Sequence, residues 1–241
     1  MHLEQPKLAA TAFLIADPAR AAMLMALLDG RALPAGELAF AGGVTPQTAS
    51  AHLAKLLEGG LLTVEVQGRH RYYRLANAHV ATVLETLATL APPQTSRCRR
   101  PHRDAQPLRL ARCCYDHLAG RLGVAVAEAL EQRAWLTTHD DATHYAVSSD
   151  GAAWFARMGL DLSHLAQGRR TMARRCLDWT ERRHHLAGSL GAALLDQFCA
   201  RHWLRRADSS RAVMVTDLGW AGLQAELGIR RLEDDALTLD R

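Results

Sequence analysis

The sequence predicts a mainly α protein with small β-hairpins, α+β in class, built from an N-terminal helix-turn-helix unit and C-terminal duplicated helix–strand–helix half-domains. Three observations predict it. Capped helical stripes run through residues 1–91 and end in two β-rich runs about a Gln67-Gly68 turn. A Pro92-Pro93 break follows. Beyond it, His117–Leu136 aligns without gaps on His185–Leu204, an internal repeat.

The composition narrows the classes. With 241 residues, the chain can hold two or three units with cores of their own. No stretch approaches eighteen uninterrupted apolar residues, so no membrane partner is expected. The N-terminus lacks a signal-peptide pattern. Five cysteines (Cys98, Cys113, Cys114, Cys176, Cys199) without a CxxC pair suit a reducing compartment, and a cytoplasmic protein is expected. The net charge is +4, yet residues 1–91 hold as many acids as bases. Nucleic-acid binding must therefore be argued from local pattern.

The elements follow in order. Asp17-Pro18 caps and starts a helix that Gly30 ends, with Ala22, Met25, Ala26 and Leu28 as its apolar stripe. Pro34 starts a second short helix, which Gly42-Gly43 closes. Thr45-Pro46 starts a third, in which Ala49, Leu53 and Leu56 share a buried face. Gln47, Thr48, Ser50, His52 and Lys55 fall largely on the other side. Two short helices joined by a Gly turn, the second exposing small polar residues, suit the major groove of DNA. Leu61–Leu75 then reads as a hairpin carrying Arg69, His70 and Arg71 near its tip, with Tyr72 and Tyr73 interleaved. Val80, Val83, Leu84, Leu87 and Leu90 give the next helix a continuous apolar stripe.

The stretches ELAFAGGVTPQTASAHLAKLLEGGLL and GRHRYYRL, within residues 15–90 or so, resemble the ArsR/SmtB family of winged-helix transcriptional regulators. The resemblance implies a double-stranded DNA partner, an Arg-tipped wing and a homodimer joined through the first helix and the helix from Asn77 to Leu90. It assigns DNA contact to Thr45, Gln47, Thr48, Ser50, His52, Lys55, Arg69, His70 and Arg71. Two-fold symmetry would make the operator an imperfect palindrome. The family's metal sites do not carry over. Glu37–Ala41 offers no thiolate, and on the last helix only His79 could ligate.

The domain reading is residues 1–91 for DNA binding and dimerisation, 92–110 as linker, and 111–241 as a sensor or dimer-support region repeated at 117–162 and 185–230. Cys113, Cys114 and Asp116 lead into His117, the first residue of the first copy; Cys176, Asp178 and His184 lead into His185, the first of the second. On a helix, Cys113 and His117 would share a face and suit zinc or copper. Three other readings stand beside that one: redox thiols activated by Arg112 and Arg175, plain core packing, and an organic-ligand pocket. No strand–GxGxxG–helix unit, GxSxG or HExxH occurs, so no enzyme is expected. The functional expectation is a repressor released by an effector sensed in the C-terminal region.

Overall fold

The computed structural model describes residues 8–67, 70–90, 106–138, 143–208, 210–231 and 237–239. Two compact units divide the chain, Met1–Glu85 and Thr86–Arg241.

The first unit begins with α1 (Leu8–Ala16), a helix the sequence reading left out, and α2 (Pro18–Ala26), which continues as a 3-10 turn at Leu27–Asp29. Asp17 caps α2 by accepting from the Arg20 N–H, with Pro18 in the first turn. The Arg20 side chain is buried. Its guanidinium donates to the carbonyls of Phe13 and Leu14, satisfying the end of α1. After β1 (Leu33–Pro34) come α3 (Ala35–Gly42) and α4 (Pro46–Glu58), separated by Gly43 at φ 65°. β2 (Leu62–Gln67) and β3 (His70–Leu75) form the hairpin, and β1 joins it in the sheet order β1-β3-β2. α5 (Ala78–Leu90) closes the segment. Met23, Leu24, Leu27, Leu38, Leu53 and Leu56 supply the core. The stripe read for α4 faces inward, but of the one read for α2 only Leu28 is buried: Ala22, Met25 and Ala26 are half-buried, because packing against α3 and α4 turns Met23, Leu24 and Leu27 to the inside.

In the second unit, α6 (Gln106–Leu110) occupies residues expected to be linker, and it packs on the helix that follows. Next come β4 (Arg112–Cys114), β5 (His117–Ala119), α7 (Gly120–Gln132), β6 (Leu136–Thr138), β7 (Tyr145–Val147), α8 (Ser149–Arg157) and α9 (Leu162–Ala166). The second copy runs β8 (Arg174–Leu177), β9 (His184–Ala187), α10 (Gly188–Ala200), β10 (Leu204–Arg206), β11 (Val213–Val215), α11 (Asp217–Leu227) and β12 (Ile229–Arg231), with β13 (Leu237–Leu239) paired to β12. Each repeat is thus hairpin–helix–hairpin–helix. The expected helix–strand–helix pattern missed the opening hairpin.

The two copies exchange edges. Arg112 bridges Ala212, and His144 bridges Arg174, so each opening hairpin meets the other copy's second hairpin. One core fills both halves, from Leu122, Leu130, Trp154 and Phe155 to Leu190, Phe198, Leu223 and Ile229. The shared motif His-Leu-Ala-Gly-x-Leu-Gly has a steric basis. Gly120 and Gly188 turn the strand into the helix at φ 79° and 85°, where a side chain would be strained. A Cβ on Gly123 or Gly191 would lie 2.5 or 2.3 Å from the carbonyl oxygen of Leu118 or Leu186.

Among the described residues, no single helix is long and apolar enough to cross a membrane.

Candidate functional site

Two sites emerge, one on the surface of the first unit and one in the interior of the second. In the first unit, α4 is set by a cap: the Thr45 hydroxyl accepts from the Thr48 N–H at 3.3 Å, with Pro46 behind it. Ala49, Leu53 and Leu56 anchor the inner face. Thr45, Gln47, Thr48, Ser50 and Lys55 are all exposed on the outer one. Ser50 donates back to the Pro46 carbonyl at 2.9 Å, so its hydroxyl keeps acceptor capacity toward solvent. In the wing, His70 and Arg71 are exposed, while Tyr73 is buried against the helices. Pro34, Ser50, Ala54, His70, Arg71 and Tyr73 are among the residues lining an open groove of about 440 Å³ between α4 and the wing.

His52 departs from the expected set. It is half-buried, 3.4 Å from Arg20 Nη1 and 3.9 Å from Asp17 Oδ1, and so belongs to the seam between α2 and α4. At position 52 the helical repeat turns the side chain toward α2, which a coarse polar stripe did not resolve. Arg69 and Gly68 lie outside the described residues.

In the second unit the repeats bring together Cys114, His117, Cys176 and His185, whose ligand atoms all lie within 4.8 Å of one another. Each hairpin contributes one pair at matched register, Cys114 opposite His117 and Cys176 opposite His185. The two imidazoles meet Nε2 to Nε2 at 3.1 Å. Both histidines are buried, and Cys176 is half-buried. Behind them stand two carboxylates. Asp116 Oδ1 is 3.2 Å from His117 Nδ1. Asp178 Oδ2 is 3.4 Å from His185 Nδ1, within ion-pair reach but not aligned as a hydrogen bond.

Each carboxylate has its own arginine. Arg170 pairs with Asp116, and Arg112 grips Asp178 with 2.8 and 2.9 Å contacts. Asp178 also accepts from the backbone N–H of Gly120, Thr180 and Glu181. Burial alone would raise its pKa, but His185, the Arg112 charge and Thr180 hold it well below the usual carboxylate range. The hydrogen bond to His117, with Arg170 alongside, lowers Asp116 in the same direction despite partial burial. Burial pulls His185 down, but Asp178 and Cys114 together raise it above the ordinary histidine value.

The expected sensing residues therefore separate. Cys113 points away from the cluster, toward Arg206 and Cys199, and burial pushes its thiol pKa up. The expected helical Cys113/His117 face does not exist, because residues 112–119 form a hairpin whose turn passes through Tyr115 at φ 61°. Strand alternation puts Cys114, not Cys113, beside His117. Arg112 is engaged with Asp178, so it does not activate the thiol of Cys113 as expected. His184 contacts Arg175 at 3.1 Å; burial and that charge lower its pKa. None of Cys113, Cys114, Cys176 and Cys199 is in a disulfide.

Comparison with known proteins matches residues 15–65 to a family of helix-turn-helix domains. The chain is similar to the uncharacterized HTH-type transcriptional regulator YdfF of Bacillus subtilis (strain 168), with 42% identity over 225 residues, 93% of this chain and 99% of that one. It is also similar to the HTH-type transcriptional regulator CmtR of Mycobacterium tuberculosis, 42% identical over 73 residues, 30% of this chain and 61% of that one. Among solved structures, HlyU from Vibrio cholerae matches 37% of this chain and 97% of its own at 28% identity, TM-score 0.34. The homodimeric winged helix-turn-helix domain Mb0332 from Mycobacterium bovis matches 42% and 100% at 26% identity, TM-score 0.34. The chain belongs to the HTH-type transcriptional regulators, DNA-binding proteins, and carries its helix-turn-helix and β-hairpin wing in the N-terminal unit.

Proposed function

We propose that this regulator is a homodimeric repressor that occupies a palindromic promoter site and leaves it when the C-terminal unit binds an effector. The observation that carries the DNA reading is the exposed row Thr45, Gln47, Thr48, Ser50 and Lys55 on α4 beside the exposed His70 and Arg71 of the wing. Gln, Ser and Thr suit base edges and phosphates, and the wing's cations suit the backbone. The dimer reading rests on α5, which leaves Val83, Leu87 and Leu90 exposed at 49, 44 and 77%. Apolar surface of that kind on a helix favours a partner. Related half-sites would sit about 10–10.5 base pairs apart. The effector reading rests on the buried Cys/His cluster, whose donors suit metal or thiol chemistry.

Binding of the full chain to promoter fragments by fluorescence anisotropy tests the DNA face. Affinity should fall steeply with salt. Arg71→Ala should weaken all sequences alike and flatten the salt slope by about 1, while Gln47→Ala should relax preference at particular base pairs by about 1–3 kcal/mol. If both variants bind with unchanged affinity and selectivity, the assigned face is wrong.

A further inference from the structure

We infer that Cys114, His117, Cys176 and His185 are the four ligands of one divalent, borderline-soft cation of the zinc class, each half of the duplicated unit donating one cysteine and one histidine. The inference deepens the effector reading above and rests on it only for the consequence at the promoter.

Geometry supports the site first. Tetrahedral zinc with bonds of about 2.0–2.1 Å to nitrogen and 2.3 Å to sulfur has ligand–ligand edges of about 3.3–3.8 Å. The two Nε2 atoms stand 3.1 Å apart, and all four donors fall within 4.8 Å.

Hydrogen-bond accounting supports it next. Each Nδ1 faces a carboxylate, Asp116 or Asp178, which can only accept when ionised. Each carboxylate is held in place by its own arginine, Arg170 or Arg112. With Nδ1 turned to a carboxylate, each ring presents Nε2 to the other at 3.1 Å in a buried place. A cation beside them would take both Nε2 atoms as ligands. A carboxylate behind each ligating imidazole is also the usual outer support of a metal-bound histidine.

Charge fixes the valence. Arg170 balances Asp116, and Arg112 balances Asp178. Ligation by Cys114 and Cys176 as thiolates brings two negative charges, which a divalent ion neutralises. The two-sulfur, two-nitrogen donor set suits zinc and excludes calcium or magnesium.

Because the ligands come equally from the two copies, the ion ties one repeat to the other. The repeats are already joined across Arg112–Ala212 and His144–Arg174, and the glycines of α7 and α10 reach over the opposite copy's histidine: Cβ positions at Gly123 and Gly191 lie 3.6 and 3.3 Å from the Cβ atoms of His185 and His117. A ligand there acts on the packing of the whole unit.

Cobalt(II) is the probe. Titrated into reduced, chelator-treated full-length protein, it should give thiolate-to-cobalt charge-transfer absorption and tetrahedral d–d bands that saturate at one equivalent per chain, and zinc should abolish both. Asp116→Asn should weaken cobalt binding about 10–100-fold. Cys114→Ser and Cys176→Ser should each weaken it further, and Cys113→Ser should leave it unchanged. The unaltered protein supplies a control independent of folding. Zinc should protect Cys114 and Cys176 from alkylation, mapped by mass spectrometry, and leave Cys113 and Cys199 as reactive as before. Two ions per chain, a missing charge-transfer band, or equal protection of all four thiols would overturn the site. Promoter affinity is read separately. One bound cobalt with unchanged DNA affinity keeps the site and removes metal as the effector; no cobalt binding with intact, salt-dependent DNA affinity removes the site and keeps the regulator.

Discussion

The two copies of the C-terminal repeat keep their backbone path and trade their side chains. The turn after α7 passes through Ala134 at φ 55° and the turn after α10 through His202 at φ 56°, although neither residue is glycine. Ser148 caps α8 and Thr216 caps α11 in the same way, accepting from the N–H of Gly151 and Gly219. Yet where Trp154 of the first copy stacks on Trp135 at 5.0 Å, the second copy has Gly222, and the Trp203 ring takes up that space. The opening hairpins differ too. Cys114 and His117 are joined by a two-residue turn, Cys176 and His185 by a longer loop. What survives in both copies is the backbone that brings a Cys–His pair to the place where the copies meet. What diverges is packing that a neighbour can compensate. Duplication here preserves a meeting point more strictly than a core.

The sharpest way to break that comparison is at the two Cys-x-Asp carboxylates. Asp178 is fully buried with Arg112, whereas Asp116 and Arg170 are partly solvated. Asp178→Ala strands a buried guanidinium and should cost about 3–5 kcal/mol in urea unfolding. Asp116→Ala should cost about 1 kcal/mol. Equal losses would mean that the two acids are structural equivalents.

Next in size are the glycines of the shared motif. An added Cβ at Gly123 or Gly191 meets backbone oxygen closer than atoms tolerate, so Gly123→Ala and Gly191→Ala should each lose about 1–3 kcal/mol. Similar losses at both would support a preserved backbone; a loss at one alone would show that the copies have relaxed apart. The smallest effect comes from the other unit. Nothing lies within 4 Å of a Cβ at Gly36 in α3, so Gly36→Ala should raise stability by about 0.4–1 kcal/mol, seen as a higher thermal midpoint.

In the first unit α4 and the hairpin were legible, because their information is local; the buried face of α2 was not, since Met23, Leu24 and Leu27 rather than Ala22, Met25 and Ala26 turn inward. Thr45-Pro46 caps α4, the spacing of Ala49, Leu53 and Leu56 names the buried face, and the remaining polar residues are left outside. His52 was misplaced because a stripe has an edge, and only packing against Arg20 decides which side an edge residue takes. α1 was missed because it is apolar nearly throughout, and no capping pattern marks it.

The second unit divides differently. Self-comparison of the sequence finds the repeat, the recurring Cys-x-Asp and the recurring His-Leu-Ala-Gly, since identity at a constant offset needs no coordinates. It could not choose Cys114 over Cys113, because that choice is the difference between a strand and a helix in a segment too short to show a period. Nor could it join His117 to His185. Those residues meet only because two hairpins exchange edges across a shared core, and a contact between residues 68 positions apart leaves no periodic trace in the chain. The amino-acid order by itself determined the winged helix, its outward polar face and the duplication. Tertiary packing alone decided which thiols face which imidazoles, because long-range contacts are set by how whole elements fill space.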